Sequence, residues 1–165
     1  MTDQSDIEEK FWKALSSDRT VMLGLRGTQS GHVHPMTLAF EDDESKGPLY
    51  IFTANDTDLA RSLGDGSGAT AHFASKGHDL FDTIDGQLEP FNDRATIDRL
   101  WNPFVAAWFE GGKTDPKLLL LRFDPVDAQV WLNEHSLLAG VKLLMGRDPK
   151  KEYADKTADL NLTRS

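Results

Sequence analysis

The sequence predicts an α+β protein built round a β-barrel of six or seven strands, with short helices in the connections. Three observations carry this reading. Runs of β-branched, aromatic and leucine residues recur at strand length along most of the chain, bounded by Gly, Asp, Asn and Ser. Most successive strands lack an intervening helix long enough for a parallel crossover, so antiparallel pairing is expected. The 165 residues show no composition shift and no linker, which fits one domain large enough to bury a core.

Each element has its own local signal. Ser5 with Glu8 reads as a capping box, after which Ile7, Phe11 and Leu15 repeat at i,i+4 down one face of a helix ending near Ser17. Residues 20–25 read as a strand, TQSG as a turn and residues 32–40 as a second strand, together a hairpin. The polar DDESKG turn leads to PLYIFTA, residues 48–54, a buried third strand by its composition. Residues 56–63 form a short helix before Gly64, Gly66 and Gly68 break the pattern. Strands follow at 69–74 and 79–88. In the second of these Leu80, Asp82, Ile84 and Gly86 share one face and Phe81, Thr83, Asp85 and Gln87 the other; neither is cleanly apolar, which leaves its pairing open. Helices are expected at 94–101 and 103–109, then strands at 117–123 and 128–133 separated by Asp124-Pro125. Residues 136–145 carry a helical apolar face of Leu137, Leu138, Val141, Leu144 and Met145, and 147–165 read as a charged, partly disordered tail.

Composition narrows the function. With 27 acidic against 18 basic residues the net charge is -9, which opposes nonspecific attraction to nucleic acid or an anionic membrane. There is no cysteine, hence no disulfide framework and no thiolate chemistry. The acidic start MTDQSDIEEK is unlike a signal peptide, and no apolar run approaches the ~20 residues of a membrane span. A soluble cytoplasmic protein is the expectation.

No catalytic motif stands out. His32 and His34 lie two apart in an expected strand and project from one face, but no cysteine, HExxH or similar spacing completes a metal site. GxSxG, GxGxxG and GxxxxGK[ST] are all missing, and GDGSGA at 64–69 is ordinary turn sequence. The stretch from Arg99 to Pro125 is the most informative. Asn102 and Pro103 can start a helix that Gly111-Gly112 ends, and between them Phe104 stacks with Trp108 and Val105 with Phe109, so no polar face remains. Such a helix must be enclosed in one core, meet a second subunit, or meet a flat aromatic ligand.

The order of HPM at 34–36, IFT at 51–53, ASKGHDLF at 74–81 and the run WNPFVAAWFEGGKTDPKLLLLRFDP resembles the general stress protein branch of the pyridoxamine 5'-phosphate oxidase-like flavoproteins. The likeness spans about residues 7–145. It implies a split β-barrel, here at 1–146, that dimerises and holds one FMN in each of two clefts at the dimer interface. Residue by residue it implies that His34-Pro35-Met36, with Thr37, takes the place of the family's Arg-Pro-Met, and that Phe52-Thr53 lies beside the flavin ring. Thr57 fills the family's Ser or Thr position toward the phosphate, while Leu59 stands where many members have lysine. Ser75-Lys76 is a replacement cation site, with Arg61 a further candidate, and Trp108 approaches the ring from the partner.

Two of these departures weaken the grip on a phosphate of about -1.5 to -2 charge. Histidine replaces the permanently charged, bidentate arginine fork, and Leu59 supplies no charge at all. Asp56 and Asp58 add negative charge at the helix start. The expected function is therefore an FMN-binding stress-response protein, open to oxidoreductase activity on a small substrate; the alternative is a flavin-free binding or structural dimer. A vitamin B6 oxidase is not expected, because that enzyme's substrate loops and arginines are not recognisable.

Overall fold

The structure is a computed structural model that describes residues 3–27, 32–42, 45–133 and 156–163. Seven strands pair antiparallel throughout: β1 Thr20–Leu25, β2 His34–Thr37, β3 Leu49–Ala54, β4 Ser67–Ala74, β5 Leu80–Pro90, β6 Leu118–Leu132 and β7 Thr157–Asn161. Their order is β2-β1-β4-β5-β6-β3, with β7 added to β6. The two outer strands meet again through one isolated bridge. There the Ala39 amide donates to the Tyr50 carbonyl at 2.7 Å and the Tyr50 amide to the Ala39 carbonyl at 3.0 Å. This closes the sheet into a split barrel.

The period-two pattern of the strands sorts side chains inward and outward. Leu80, Asp82, Ile84, Gly86 and Leu88 of β5 are buried, whereas Phe81 and Gln87 on the opposite face are exposed. The helix α1, Gln4–Asp18, buries Ile7, Phe11, Trp12 and Leu15 against the barrel. Phe11 and Leu15 are wholly enclosed, each contributing about 1.5–3 kcal/mol of apolar burial. A second, smaller core lies on the outer face of β3. Tyr50 packs there with Leu118 and Leu120 of β6, with Ile97 and Leu100 of α3, Arg94–Leu100, and with Phe109. α2 spans Asp58–Leu63 and α4 only Pro103–Ala106.

Several expectations change. α1 starts one residue before Ser5: the Asp3 carbonyl accepts from the Asp6 and Ile7 amides, and Ser5 merely donates to the Asp3 carboxylate at 2.8 Å. The second strand is four residues long, because past Thr37 the chain leaves β1 for the bridge to Tyr50. Residues 118–132 form one strand instead of two. Asp124-Pro125 does not break it, since the register slips at Asp85/Gly86 and Pro125 falls between the reach of β3, ending opposite Phe123, and of β7, starting opposite Asp127. Residues 157–161, assigned by composition to the tail, are a strand on β6 with Leu160 buried. The helix expected at 136–145 lies outside the described residues.

β5, whose pairing the sequence leaves open, is a central strand bonded to β4 and β6 along its length. Gly86 is why the two long strands can cross so closely at the slip. A Cβ there sits 2.4 Å from the Asp124 carbonyl and 2.8 Å from the Phe123 ring. Gly86→Ala is expected to lower stability by about 1–3 kcal/mol through overpacking. Urea unfolding checks this, and an unchanged midpoint would mean that the backbone yields freely.

Candidate functional site

The bridge between Ala39 and Tyr50 leaves a seam. Continued antiparallel, its register would set Thr37 opposite Phe52 and Met36 opposite Thr53, but among the described residues no ladder forms there. β2 is bonded on its other edge to β1, and β3 on its other edge to β6. Two strand edges thus face each other as lips, with peptide groups directed across the gap and available to a planar polar ligand. His34, Pro35, Met36 and Thr37 form one lip; Phe52 and Thr53 belong to the other. His34 and Met36 are half-buried, Pro35 and Thr37 exposed. Thr53 turns inward and is buried, while Phe52 turns outward to meet Trp101 edge-on at 6.1 Å.

Thr57 follows β3 closely and caps α2. Its hydroxyl accepts from the Ala60 amide at 3.2 Å and donates to the Ala54 carbonyl at 3.0 Å, so it fastens the loop to the end of the lip. The other expected positions lie apart. Leu59 is in the main core, where its apolar side chain is at home and a lysine would need a partner. Ser75 holds the β4–β5 turn by accepting from the Asp79 and Leu80 amides, both at 3.1 Å. Lys76 reaches Asp18 at 4.0 Å on the far side of β1. Phe104 and Trp108 stand out from the α4 segment, 85% and 84% exposed, in neither core. The helix expected at 103–109 is one turn followed by tight turns, with only Phe109 buried.

Electrostatics around the lips favour no free anion. Lys117 pairs with Asp56 at 3.2 Å and, as hydrogen-bond partner first and as charge second, holds that carboxyl below its usual range. Arg61 pairs with Asp58 at 3.6 Å. Beside the bridge, Tyr50 donates to Glu41 at 3.3 Å and Arg99 donates to the same carboxylate oxygen at 3.1 Å. Burial first, and Glu41 second, push the Tyr50 phenol up. Residue pattern alone did not single out this trio, because Glu41 and Arg99 are 58 residues apart in the chain. No described group of three or more His, Cys, Asp or Glu converges as a metal site.

A family model described as pyridoxamine 5'-phosphate oxidase like matches residues 6–153. The chain belongs to this family. Among solved structures, a general stress FMN/FAD binding protein from Xanthomonas citri is 58% identical, with a TM-score of 0.77 over 83% of this chain and 96% of its own. A general stress family protein from Xanthomonas campestris pv. campestris is 56% identical, with a TM-score of 0.77 over 85% of this chain and 96% of its own. General stress protein 26 from Jannaschia sp. CCS1 is 28% identical, with a TM-score of 0.75 over 96% of this chain and 99% of that one. No curated protein matches at the level taken as significant. Membership in the pyridoxamine 5'-phosphate oxidase-like family agrees with the split barrel and with the resemblance carried by the 99–125 segment. No described helix is long and apolar enough to cross a membrane.

The α4 segment depends on Asn102, whose side-chain oxygen accepts from the Phe104 amide at 2.9 Å and the Val105 amide at 3.0 Å. Asn102→Ala leaves both donors to solvent and is expected to cost about 1 kcal/mol of stability. Denaturant titration reads this directly; a loss below ~0.3 kcal/mol would show that the aromatic cluster alone positions the turn.

Proposed function

We propose that this chain is a homodimeric FMN-binding protein of the general stress type, with the flavin ring seated at the seam between β2 and β3. The observation that carries the reading is the seam beyond the Ala39–Tyr50 bridge, where the facing edges of β2 and β3 have no strand partner among the described residues and the Thr37 side chain is exposed. A 58%-identical structure named for FMN/FAD binding supports it. FMN is preferred over FAD on the resemblance. Pro35, Met36 and Thr37 would line one side of the ring and Phe52 and Thr53 the other, while His34 would reach toward the phosphate and Thr57 would hold the loop on that side. Trp108 would close the site from the partner subunit. Lys76 and Ser75 stand across β1 from Thr37, near the rim, and Leu59 supplies packing only.

Bound flavin would supply the redox chemistry, and the chain's task is to hold, orient and shield the ring. No described side chain is placed as a general acid or base for a small substrate, so binding is the primary activity proposed and turnover an extension of it. The unscreened deficit is at the phosphate. The nearby cations Lys117 and Arg61 already serve Asp56 and Asp58, and Lys76 across β1 serves Asp18. A flavin-free dimer is favoured by that same pairing, because each ion pair must open before its cation can serve the phosphate.

Titrating the purified chain with FMN, FAD and riboflavin separates these readings. Quenching of flavin fluorescence and a thermal shift with FMN are expected; no heat, quenching or shift at saturating FMN overturns the proposal. Replacing His34 by Arg is expected to tighten FMN by about 1 kcal/mol or more at pH 8, the scale of a charge-assisted hydrogen bond, and to leave riboflavin affinity unchanged. Equal gains for both ligands would place the phosphate elsewhere.

The dimer rests on the exposed α4 aromatics, an apolar patch that a lone chain leaves in water. Sedimentation at micromolar concentration is expected to give a dimer. Phe104→Asp with Trp108→Asp should shift it to monomer and weaken FMN by at least tenfold. A monomeric wild-type chain that still binds FMN would refute the interface and leave the seam intact.

A further inference from the structure

Asp82 is the single charged residue among the buried described residues, 3% exposed and inward-facing on β5. Neither carboxylate oxygen has a hydrogen-bond partner. On the same face its chain neighbours are Leu80 and Ile84, and across the ladders it lies opposite Phe73 of β4 and Val130 of β6. Among the described residues, the elements packed on β5 turn no titratable group toward it. Phe73 and small alanines face inward from β4, Val130 and Leu132 from β6, Leu160 from β7, and Phe11 and Leu15 from α1. The charged side chains of those elements lie elsewhere: Lys10, Lys13, Glu9, His72, Asp127 and Asp159 are exposed, with Glu8, Asp18, Arg122 and Asp124 only half-buried. Burial, with no compensating cation among the described residues, pushes this carboxyl up to about 8.

α1 packs by its buried face on β5, β6 and β7, the strand of Asp82 among them. Among its polar tethers to other elements, Gln4 donates to the Asp159 carbonyl at 2.8 Å, Glu8 pairs with Lys46 at 3.6 Å and Asp18 meets Lys76 at 4.0 Å, each with at least one partner near solvent. A cleft of about 550 Å3 separates the C-terminal half of α1 from the β4–β5 turn, floored by Leu80 and Leu132. Leu80 is the next inward residue after Asp82, and Leu132 the next after Val130, its cross-strand partner. Water entering by this cleft therefore has one layer of side chains to pass. We propose that Asp82 makes the seating of α1 on the barrel sensitive to pH, the helix lying closed over a neutral carboxyl and lifting along this cleft to let the carboxylate reach water.

The sign follows from proton counting. With α1 lifted, Asp82 returns to its ordinary value of 3.8; with α1 closed it titrates near 8. Between these the closed state holds one more proton, so closure is strongest below the lower value and is lost progressively as pH rises toward the upper one. The opening constant grows roughly tenfold per pH unit across that window and levels off above it.

Amide hydrogen exchange of the full chain at pH 6, 7 and 8, with each rate divided by that of an unstructured reference peptide, tests this. Protection of the α1 amides is expected to fall about ninefold from pH 6 to 7 and about fivefold from pH 7 to 8 in the wild type and to stay level in Asp82→Asn, while β5 amides remain more protected than α1. If Asp82→Asn does not fold, Asp82→Leu replaces it under the same criteria. A protonated-carboxyl infrared band at pH 7 that disappears in the variant supports the neutral state. Equal pH slopes in wild type and variant overturn the proposal, as does identical protection of α1 and β5, which would mean global unfolding without separate helix opening.

Discussion

Two reciprocal hydrogen bonds between Ala39 and Tyr50 decide what kind of object this sheet is. Six strands paired in series could lie open, with two long edges exposed to other chains. The bridge joins those edges at one point, which encloses the main core and gives β3 an inside and an outside. Leu49 and Ile51 then fall inward, whereas Tyr50 and Phe52 meet α3, Trp101 and Phe109 on the outer surface. The ladder stops at the bridge, so beyond it the facing edges of β2 and β3 have no strand partner among the described residues. Closure of the core and opening of the candidate flavin site are one constraint.

Charge placement explains why the site is better suited to a ring than to a phosphate. The chain carries -9, and the cations near the lips are already matched to carboxylates, Lys117 to Asp56 and Arg61 to Asp58, while the more distant Lys76 meets Asp18. These exposed pairs contribute little to stability, so exchanging one for a ligand phosphate is a small rearrangement. The ring, by contrast, needs donors, acceptors and apolar surface, which strand edges and Phe52 supply without charge. In the proposed reading, phosphate and ring would be held by separate kinds of interaction.

Asp82 is the place where local and global preferences conflict. A carboxyl at an inward position of a central strand lowers stability wherever it is ionised, yet the surrounding barrel provides it no partner. Gly86, four residues on, shows the opposite relation: its lack of a side chain is what allows β5 and β6 to approach at the register slip. Both residues lie on the inward face of one strand, and their alternation with Leu80, Ile84 and Leu88 is what made that strand's pairing unreadable from pattern alone.

Local chemistry was sufficient for much of the fold. The apolar spacing of Ile7, Phe11 and Leu15 specified α1, the strand runs specified β1, β3 and β4 within two residues, and Asn102-Pro103 specified where the α4 segment begins. The family was legible from the 99–125 run, whose residue order is distinctive without any contact being known. What pattern could not decide are matters of long-range pairing. Whether Asp124-Pro125 breaks a strand depends on which neighbours need donors there, and whether residues 157–161 are tail or strand depends on the free edge of β6. Leu59 could be aligned with a cation position, but only packing showed that it faces the core; Lys76 could be named a cation, but only the turn geometry showed Asp18 beside it. Sequence alone determined α1, α2, α3 and the strand runs of β1, β3 and β4, because those preferences act over a few residues. Tertiary structure decided which edges meet, which stay apart and which charges lack a partner, because these depend on groups brought together from distant parts of the chain.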